Sequence, residues 1–420
     1  MRNCSMISGC VRWNPMPDES DARPAGNGRS ASNASPSADL THALKVELAE
    51  LTLRGELRTL EIPTGTNLCS NDYLGLSTHP DLCQAIAEAV VRAERFSGTG
   101  SRLLAGHARE WEELENEFAA FVGSEAALFF TSGYLANVGL LASVVGRGDL
   151  VFSDEFNHAS LIDGIRLSSA EKVIYAHRNL KALEYELAAH SARRCRKLIV
   201  TESVFSMEGD IAPLAEMSAL AQRHGAALIV DEAHAIGVFG PSGRGCVADA
   251  HLEKEVFATI HTCGKALASA GAFVCGTPAL KAFLINRART FLFNSALPPY
   301  FAAQIRAALS LARAADAERT RLQSMARNLR ARLRESGWDT LASQSQIVPV
   351  MVGDNAAASR IAAELAEKGF AIRAIRPPTV PEGTARLRIS LTCNLTNEDL
   401  ERLCVAMNES RVRGAAAGAR

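Results

Sequence analysis

The chain has 420 residues, a formal net charge of −1 and 47% hydrophobic residues, enough to bury a large core and, by length, to form two or three domains. The near-neutral balance, without a basic cluster, gives no electrostatic reason to expect nucleic acid or a membrane as partner, and no apolar run is long enough to span a bilayer. Ten cysteines are scattered without Cys-x-x-Cys pairs or zinc-ligand spacing, so neither a metal site nor a disulfide framework is indicated, and reduced thiols in a cytoplasmic protein fit best.

Residues 1–40 are rich in Ser, Asn, Pro, Asp, Arg and Gly and read as a disordered N-terminal extension. They lack the apolar core of a secretory signal, and Asp18, Glu19 and Asp21 argue against an organellar transit peptide. Residues 41–75 read as a short amphipathic helix carrying Leu44, Leu48, Leu51 and Leu53, then an extended lead-in. Its turn-rich end, SNDYLGL at 70–76, offers Asn71 and Tyr73 to a ligand, although Asn71 and Asp72 equally suit capping and turn-making. Helices are expected over 80–96 and 110–122, on either side of a glycine-rich loop at 97–106 that permits close backbone approach to a ligand or a second subunit.

From residue 126 onward strands and helices alternate. Strands are expected over 126–130, 150–153, 172–176, 197–202, 226–231, 256–262 and 271–275, with helical stretches between them. That pattern predicts an α/β fold built on a mostly parallel seven-stranded sheet covered on both faces, within a large domain at 76–310. Ligands of such sheets bind beyond the carboxyl ends of the strands. The first strand ends in Thr131-Ser132-Gly133-Tyr134, a helix start whose free amides suit a phosphate, with Tyr134 able to lie near an aromatic ring. His158, after the second, has a place to stack on a heteroaromatic cofactor. The fourth is followed by Glu202, Ser206 and Asp210, a candidate donor between two candidate network formers.

The next two strands carry the most informative residues. The apolar run ending at Val230 opens into Asp231-Glu232-Ala233-His234, and the following strand closes on Thr262-Cys263-Gly264-Lys265. An acid at one strand tip, a histidine beside it and a lysine beyond the next strand meet the needs of pyridoxal phosphate. The lysine makes the Schiff base, and the carboxylate keeps the pyridine nitrogen protonated. Taken singly, Lys265 would be a surface lysine and Asp231 a turn residue. Asp-Glu-Ala-His also occurs in helicases, but the phosphate loop that accompanies it there is absent from this sequence. Cys263 reads as a small packed residue rather than a reactive thiol.

A long helix is expected over 300–336, its charges a solvated face, followed by strands at 347–352, 371–375 and 387–391 and helices at 356–368 and 397–408. These make a smaller α+β domain at 311–410, with a flexible tail at 411–420. Arg386 and Arg388 flank Leu387 on one strand and so share a face, from which a guanidinium at a domain cleft could clamp a carboxylate.

Together these motifs resemble the pyridoxal-phosphate α-oxoamine synthases of fold type I. The likeness covers about 40–409 and rests on SNDYLGL at 70–76, SGTGSRL at 97–103, SGYLAN at 132–137, HAS at 158–160, ESVFSMEGDIAPL at 202–214, VDEAH at 230–234, GRG at 243–245, TCGKA at 262–266 and AIRPPTVPEGTARLRISLT at 374–392. The last is the most discriminating, being typical of the branch that uses L-alanine and a pimeloyl thioester. The resemblance implies that Lys265 holds the cofactor covalently and later moves the substrate Cα proton, that Asp231 pairs with the pyridine nitrogen, and that His234 and Ser206 bond the ring's phenolic side. It further implies that His158 stacks on the ring and touches the amino acid, and that Gly133, Tyr134 and Thr262 hold cofactor and phosphate, with Ser295 acting across a homodimer interface. Arg388 would bind the amino acid carboxylate, while Thr379 and an N-terminal arginine, Arg58 in preference to Arg54, would contact substrate. The implied reaction is a decarboxylative condensation on pimeloyl-CoA or pimeloyl-ACP, in biotin biosynthesis.

Sister enzymes taking glycine or serine with other acyl thioesters are the nearest alternative, and the 377–381 loop argues against them. A silent paralogue serving as a partner subunit is the other, and the presence of Lys265, Asp231, His158 and His234 argues against that. Two stretches depart from the family pattern. Ala266-Leu267-Ala268-Ser269-Ala270 stands where relatives are glycine-rich, and Thr392-Cys393-Asn394 differs from the usual residues there.

Overall fold

The structure, a computed structural model, describes residues 36–418. Most of the extension expected at 1–40 lies outside the described residues. The chain separates into two compact units, Met1–Leu57 and Arg58–Arg420. In the first, the described residues form one helix, Pro36–Leu53, after which Arg54 pairs with Glu50 and Glu56.

The second unit is organised by its sheets. A short strand, β1 (Thr66–Asn67), precedes the seven strands of the central sheet: β2 (Ala126–Phe130), β3 (Leu150–Asp154), β4 (Glu171–Tyr175), β5 (Lys197–Glu202), β6 (Ala227–Asp231), β7 (Ala258–Thr262) and β8 (Ala272–Gly276). Their spatial order is β2-β8-β7-β6-β5-β3-β4. Only β8 runs against its neighbours, so the carboxyl ends of the other six share one edge. All seven expected strands form within two residues of their expected bounds; six are short apolar runs buried in the sheet, and only the edge strand β4, EKVIY, is largely exposed.

Side-chain alternation divides the central strands between two cores. Ala127, Phe129, Phe152, Ile199, Val230 and Phe273 enter one, while Leu128, Phe130, Val151, Val200, Ile229 and Val274 enter the other. The first core is closed by the helix Arg109–Val122, whose Trp111 stacks on Phe129 at 4.5 Å and whose Phe118 stacks on Phe273 at 3.9 Å. Truncating such a buried ring costs about 3–5 kcal/mol, so these stacks fix where the helix sits on the sheet. The second core is closed by the helix Gly133–Val144, with Leu140 and Leu141 fully buried.

The remaining strands are β9 (Ile347–Gly353), β10 (Phe370–Ala371), β11 (Ala374–Ile375) and β12 (Ala385–Ser390). An antiparallel sheet of order β11-β12-β9 stands apart from the central one, and β1 pairs in parallel with β10. The helix expected over 300–336 is two helices, Tyr300–Ala314 and Asp316–Glu335. Ala315 leaves helical geometry at φ −86°, ψ 41°, and the buried Arg319 guanidinium donates to the carbonyls of Ala312 and Arg313 that the break exposes. Asp316 then opens the next helix in the first turn, where an acid is favoured. The last helix, Asn397–Gly418, takes in the described part of the stretch expected to be a flexible tail at 411–420.

Candidate active site

The carboxyl edge of the central sheet places Asp231 at the end of β6 with both oxygens engaged. Ala233 N–H donates to Oδ1 at 2.9 Å and Asn137 Nδ2 to Oδ2 at 2.7 Å. Asn137 also donates to Ser160 Oγ at 2.8 Å, and Ser160 lies 2.7 Å from His158 Nδ1. A continuous chain of contacts therefore runs from the aspartate to the histidine. Burial holds His158 below its ordinary 6.5; the nearby Asp231 charge opposes this and Lys265 reinforces it. Asn137 Oδ1 is buried without a hydrogen-bond partner in the protein. Glu202 is buried beside Asp231 as its register partner across β5 and β6. Burial, then the Asp231 charge, push its carboxyl well above 4.5.

Lys265 lies in the return between β7 and β8, with Nζ 2.7 Å from Nε2 of His234. Nδ1 of the same ring is 2.6 Å from the hydroxyl of the fully buried Tyr73. Burial pulls Lys265 down from 10.5 to about 8, against the attraction of Asp231 and Glu202. Burial also drives His234 well below 6.5, helped by the charges of Lys265 and Arg388, so the ring is neutral. Gln346 donates to the His234 carbonyl at 2.9 Å and fixes its backbone. The adjacent Glu232 is fully buried and accepts from the amides of Cys246 and Val247 at 2.7 and 3.2 Å. Cys263 is buried, and burial pushes its thiol up, away from the reactive thiolate.

The second arm of the site comes from β12. Arg388 donates through Nε to the Ser206 carbonyl at 2.6 Å and through both terminal nitrogens to Asn71 Oδ1 at 3.1 and 3.2 Å. Asn71 Oδ1 also receives Tyr73 at 3.0 Å and Ser390 at 3.1 Å, which joins Arg388 to the Tyr73–His234–Lys265 line. Arg386, on the same face, pairs with Glu208 at 2.9 Å. Both arginines therefore grip the segment after β5.

The structure thus brings Lys265, His234, Tyr73, Asn71, Arg388 and Ser206 into one network, and Asp231 and His158 into another. Gly133 opens the helix after β2 next to Thr262, and a Cβ there would stand 3.5 Å from Thr262 Oγ1. Ser132 caps that helix by accepting from Leu135 N at 3.2 Å. Tyr134 presents an exposed ring, its hydroxyl donating to Asp163. Ser295 lines a narrow cleft with Thr131 and Arg102 of its own chain. Arg58 and Thr379 meet each other at 3.1 Å, and Arg58 also reaches the Pro377 carbonyl at 3.5 Å. Arg58 thus bonds to the distant 377–379 loop rather than to the lysine network. Asp72 proves to be a cap, accepting from Leu76 N and Ser77 N at 2.9 and 3.0 Å.

Sequence reasoning gave no role to Asn137, Ser160 or Gln346. The available signal was a polar residue inside an otherwise apolar helix, since buried polar groups need partners.

The donor set suits pyridoxal phosphate: a lysine amine, a buried carboxylate oriented from both sides, and a capped helix start beside a threonine. Residues 63–407 match the family model described as aminotransferase class I and II. The chain is 46% identical over 382 residues to the 8-amino-7-oxononanoate synthase of Aromatoleum aromaticum, covering 88% of this chain and 98% of that one. Among solved structures it resembles a variant of the serine palmitoyltransferase of S. paucimobilis, solved with bound PLP and myriocin, at 30% identity and a TM-score of 0.82, covering 91% and 99% of the two chains. It also resembles the 8-amino-7-oxononanoate synthase of Francisella tularensis, at 28% identity and a TM-score of 0.73, over 84% and 99%. The chain belongs to the class I and II aminotransferase family, of fold type I, and within it to the pyridoxal-phosphate-dependent 8-amino-7-oxononanoate synthases.

Proposed function

We propose that this chain joins L-alanine to a pimeloyl thioester with loss of CO2, releasing 8-amino-7-oxononanoate and the free carrier, as a step of biotin biosynthesis. The observation that carries this is the 46% identity to an 8-amino-7-oxononanoate synthase across 98% of that enzyme's length. The connected network of Lys265, His234, Asn71 and Arg388 supports it with chemistry.

When bound, pyridoxal phosphate supplies the electron sink that stabilises negative charge at the amino acid Cα and again after CO2 departs. The chain supplies placement and charge. Asp231, its oxygens already aimed by Asn137 and Ala233, would hold the pyridine nitrogen. Gly133, Tyr134 and Thr262 would hold the phosphate end, with Ser295 contributed by a second copy. His158 would cover the ring, and His234 and Ser206 would face its phenolic oxygen. Lys265, at about 8, sits where a group can both give and take a proton near neutral pH, which fits moving the Cα proton. Arg388 would hold the amino acid carboxylate, with Asn71 orienting the guanidinium. Arg58 and Thr379 would contact substrate at the mouth.

The reading includes a homodimer, supported by the exposed apolar residues Val91, Phe96, Leu104 and Phe293 at and near the glycine-rich loop and Ser295. It includes a cytoplasmic location, supported by the eight described cysteines, all free thiols.

The test is a visible-absorbance titration of the PLP-loaded protein with L-alanine, glycine and L-serine, followed by pimeloyl-CoA or pimeloyl-ACP with CO2 and product read by mass spectrometry. Preference for alanine and formation of the pimeloyl product is the expected result. Preference for serine or glycine would move the chain to a sister enzyme, and the two thioesters tell the carriers apart.

A further inference from the structure

One buried ion cluster lies next to the site without belonging to it. His177, just after β4, has Nδ1 2.9 Å from Asp154 at the tip of β3 and Nε2 3.0 Å from Asp210. Arg178 adds a bond to the same Asp210 oxygen at 2.9 Å and donates its amide to Asp154 at 2.9 Å. The side chains of Asp154 and Asp210 are almost fully buried. Phe156 and Phe205 pack on the His177 ring, with centroids at 4.6 and 4.4 Å.

The chemistry of this arrangement admits one protonation state. A carboxylate only accepts, so a ring flanked by carboxylates at both nitrogens must donate from both, which only the imidazolium does. With Arg178 the cluster holds two cations and two anions, and so balances.

Asp210 closes a tight turn. Phe205 N donates to the Asp210 carbonyl at 3.0 Å, and Gly209 N donates to the Phe205 carbonyl at 2.9 Å. Inside that turn lies Ser206, whose carbonyl receives Arg388 Nε at 2.6 Å. The turn is held by His177 at Asp210, by Arg386 at Glu208 and by Ser345 at the Gly209 carbonyl, and it reaches Arg388 through Ser206, so its position bears on the direction of the guanidinium alongside Asn71.

We propose that His177 is a positioning residue for amino acid binding: as an imidazolium clamped between Asp154 and Asp210 it fixes the 205–210 turn, and through the Ser206 carbonyl it aims Arg388 at the substrate carboxylate. The proposal rests on the reading of Arg388 given above. Electrostatics agree with it. Burial opposes the charge on His177, but the hydrogen bonds of Asp154 and Asp210 outweigh burial and raise the ring from 6.5 to about 9. The other charged groups near it are Glu208 on the turn and Glu155, which accepts the His177 amide at 2.7 Å. A group raised in this way contributes fully below 6.5 and loses its contribution as pH rises through about 9.

The test uses the PLP-loaded enzyme and reads L-alanine affinity from the visible absorbance band, separately from kcat. His177→Gln and Asp210→Asn are each expected to weaken alanine binding by roughly tenfold, the scale of a lost charged hydrogen bond, with kcat at saturating alanine nearly unchanged. The double variant is expected to be no weaker than either single one, since both break the same link. Unchanged alanine affinity in folded, PLP-loaded variants, or additive losses, would overturn the proposal. Where a variant fails to fold, nitrogen NMR of histidine-labelled native enzyme decides: both His177 nitrogens protonated at pH 8 is expected, and a neutral tautomer sinks the clamp. Arg388→Ala separates the two readings. If it leaves alanine affinity intact, the role of Arg388 fails and the link to the amino acid fails with it, whereas the NMR result still reports the clamp alone.

Discussion

Tyr73 and His234 are joined by a 2.6 Å contact that determines which way the histidine's single proton points. Lys265 as an ammonium has three donors and no acceptor, so Nε2 of His234, 2.7 Å away, must accept. The proton of the neutral ring is then on Nδ1 and is donated to the Tyr73 oxygen, whose own proton goes to Asn71 at 3.0 Å. A buried phenol thereby selects the tautomer that faces the lysine.

Replacing Tyr73 by Phe leaves a buried N–H without its acceptor. Stability should fall by about 1–3 kcal/mol in urea unfolding, with a lower kcat because the ring is free to present the wrong nitrogen to Lys265. A variant as stable and as active as the parent would show that the hydroxyl is dispensable.

Lys265 should label as an unusually reactive amine. In the cofactor-free protein its modification by trinitrobenzenesulfonate, followed by peptide mass spectrometry, is expected to have a midpoint near pH 8 rather than 10.5. Because Asp231 holds that value up, Asp231→Asn should move the midpoint lower still. The linkage has a definite sign. Between pH 8 and 10.5 the unfolded chain keeps a proton that the folded lysine has lost, so this group makes the folded state more stable as pH rises through that window. A midpoint at the ordinary value would remove the basis for its proposed proton transfers.

Lys265→Ala should fold, bind pyridoxal phosphate without a covalent bond and form no ketone product. Borohydride treatment of the loaded variant should fix no cofactor to the protein, and fixation at another lysine or retained turnover would contradict the assignment.

Gly245→Ala tests how the Asp-Glu-Ala-His turn is braced. Gly245 has φ +106°, and a Cβ there would sit 1.8 Å from Glu232 Oε2, the oxygen that accepts Cys246 N. Strain plus eviction of a buried carboxylate should cost at least about 3 kcal/mol in urea unfolding. Gly148→Ala, also at positive φ but with open space around it, should cost only about 1 kcal/mol. Equal losses at the two positions would show that Glu232 yields easily.

The residues whose chemistry is intrinsic were legible in the sequence. Asp231, Lys265 and His158 each follow a short apolar run bounded like a strand, and it is their combination at strand ends, not any one of them, that points to a site. Partners that act by orientation were not legible, because Asn137 and Ser160 matter only through which helix faces which strand tip. The helix break at Ala315 was hidden for a different reason. The Ala, Leu and Arg pattern continues straight through it, and the group that satisfies the exposed carbonyls, Arg319, looks in sequence like one more surface charge. Likewise the hydroxyl bond of Tyr134 to Asp163 depends on a helix that begins 25 residues later.

The reversed direction of β8 has a bearing on how the lysine comes to its post. Parallel neighbours need a crossover through a helix, but β7 and β8 are antiparallel, so Thr262 and Ala272 pair after an intervening stretch of only nine residues that includes Lys265. Closing a loop of that size takes on the order of 10–100 ns in an unfolded chain. Asp231, by contrast, reaches its place only when β6 has found β5 and β7 on either side. The lysine's loop is thus closed by a contact near in sequence and the carboxylate's setting by strands far apart in it, so the two groups depend on the sheet at different ranges.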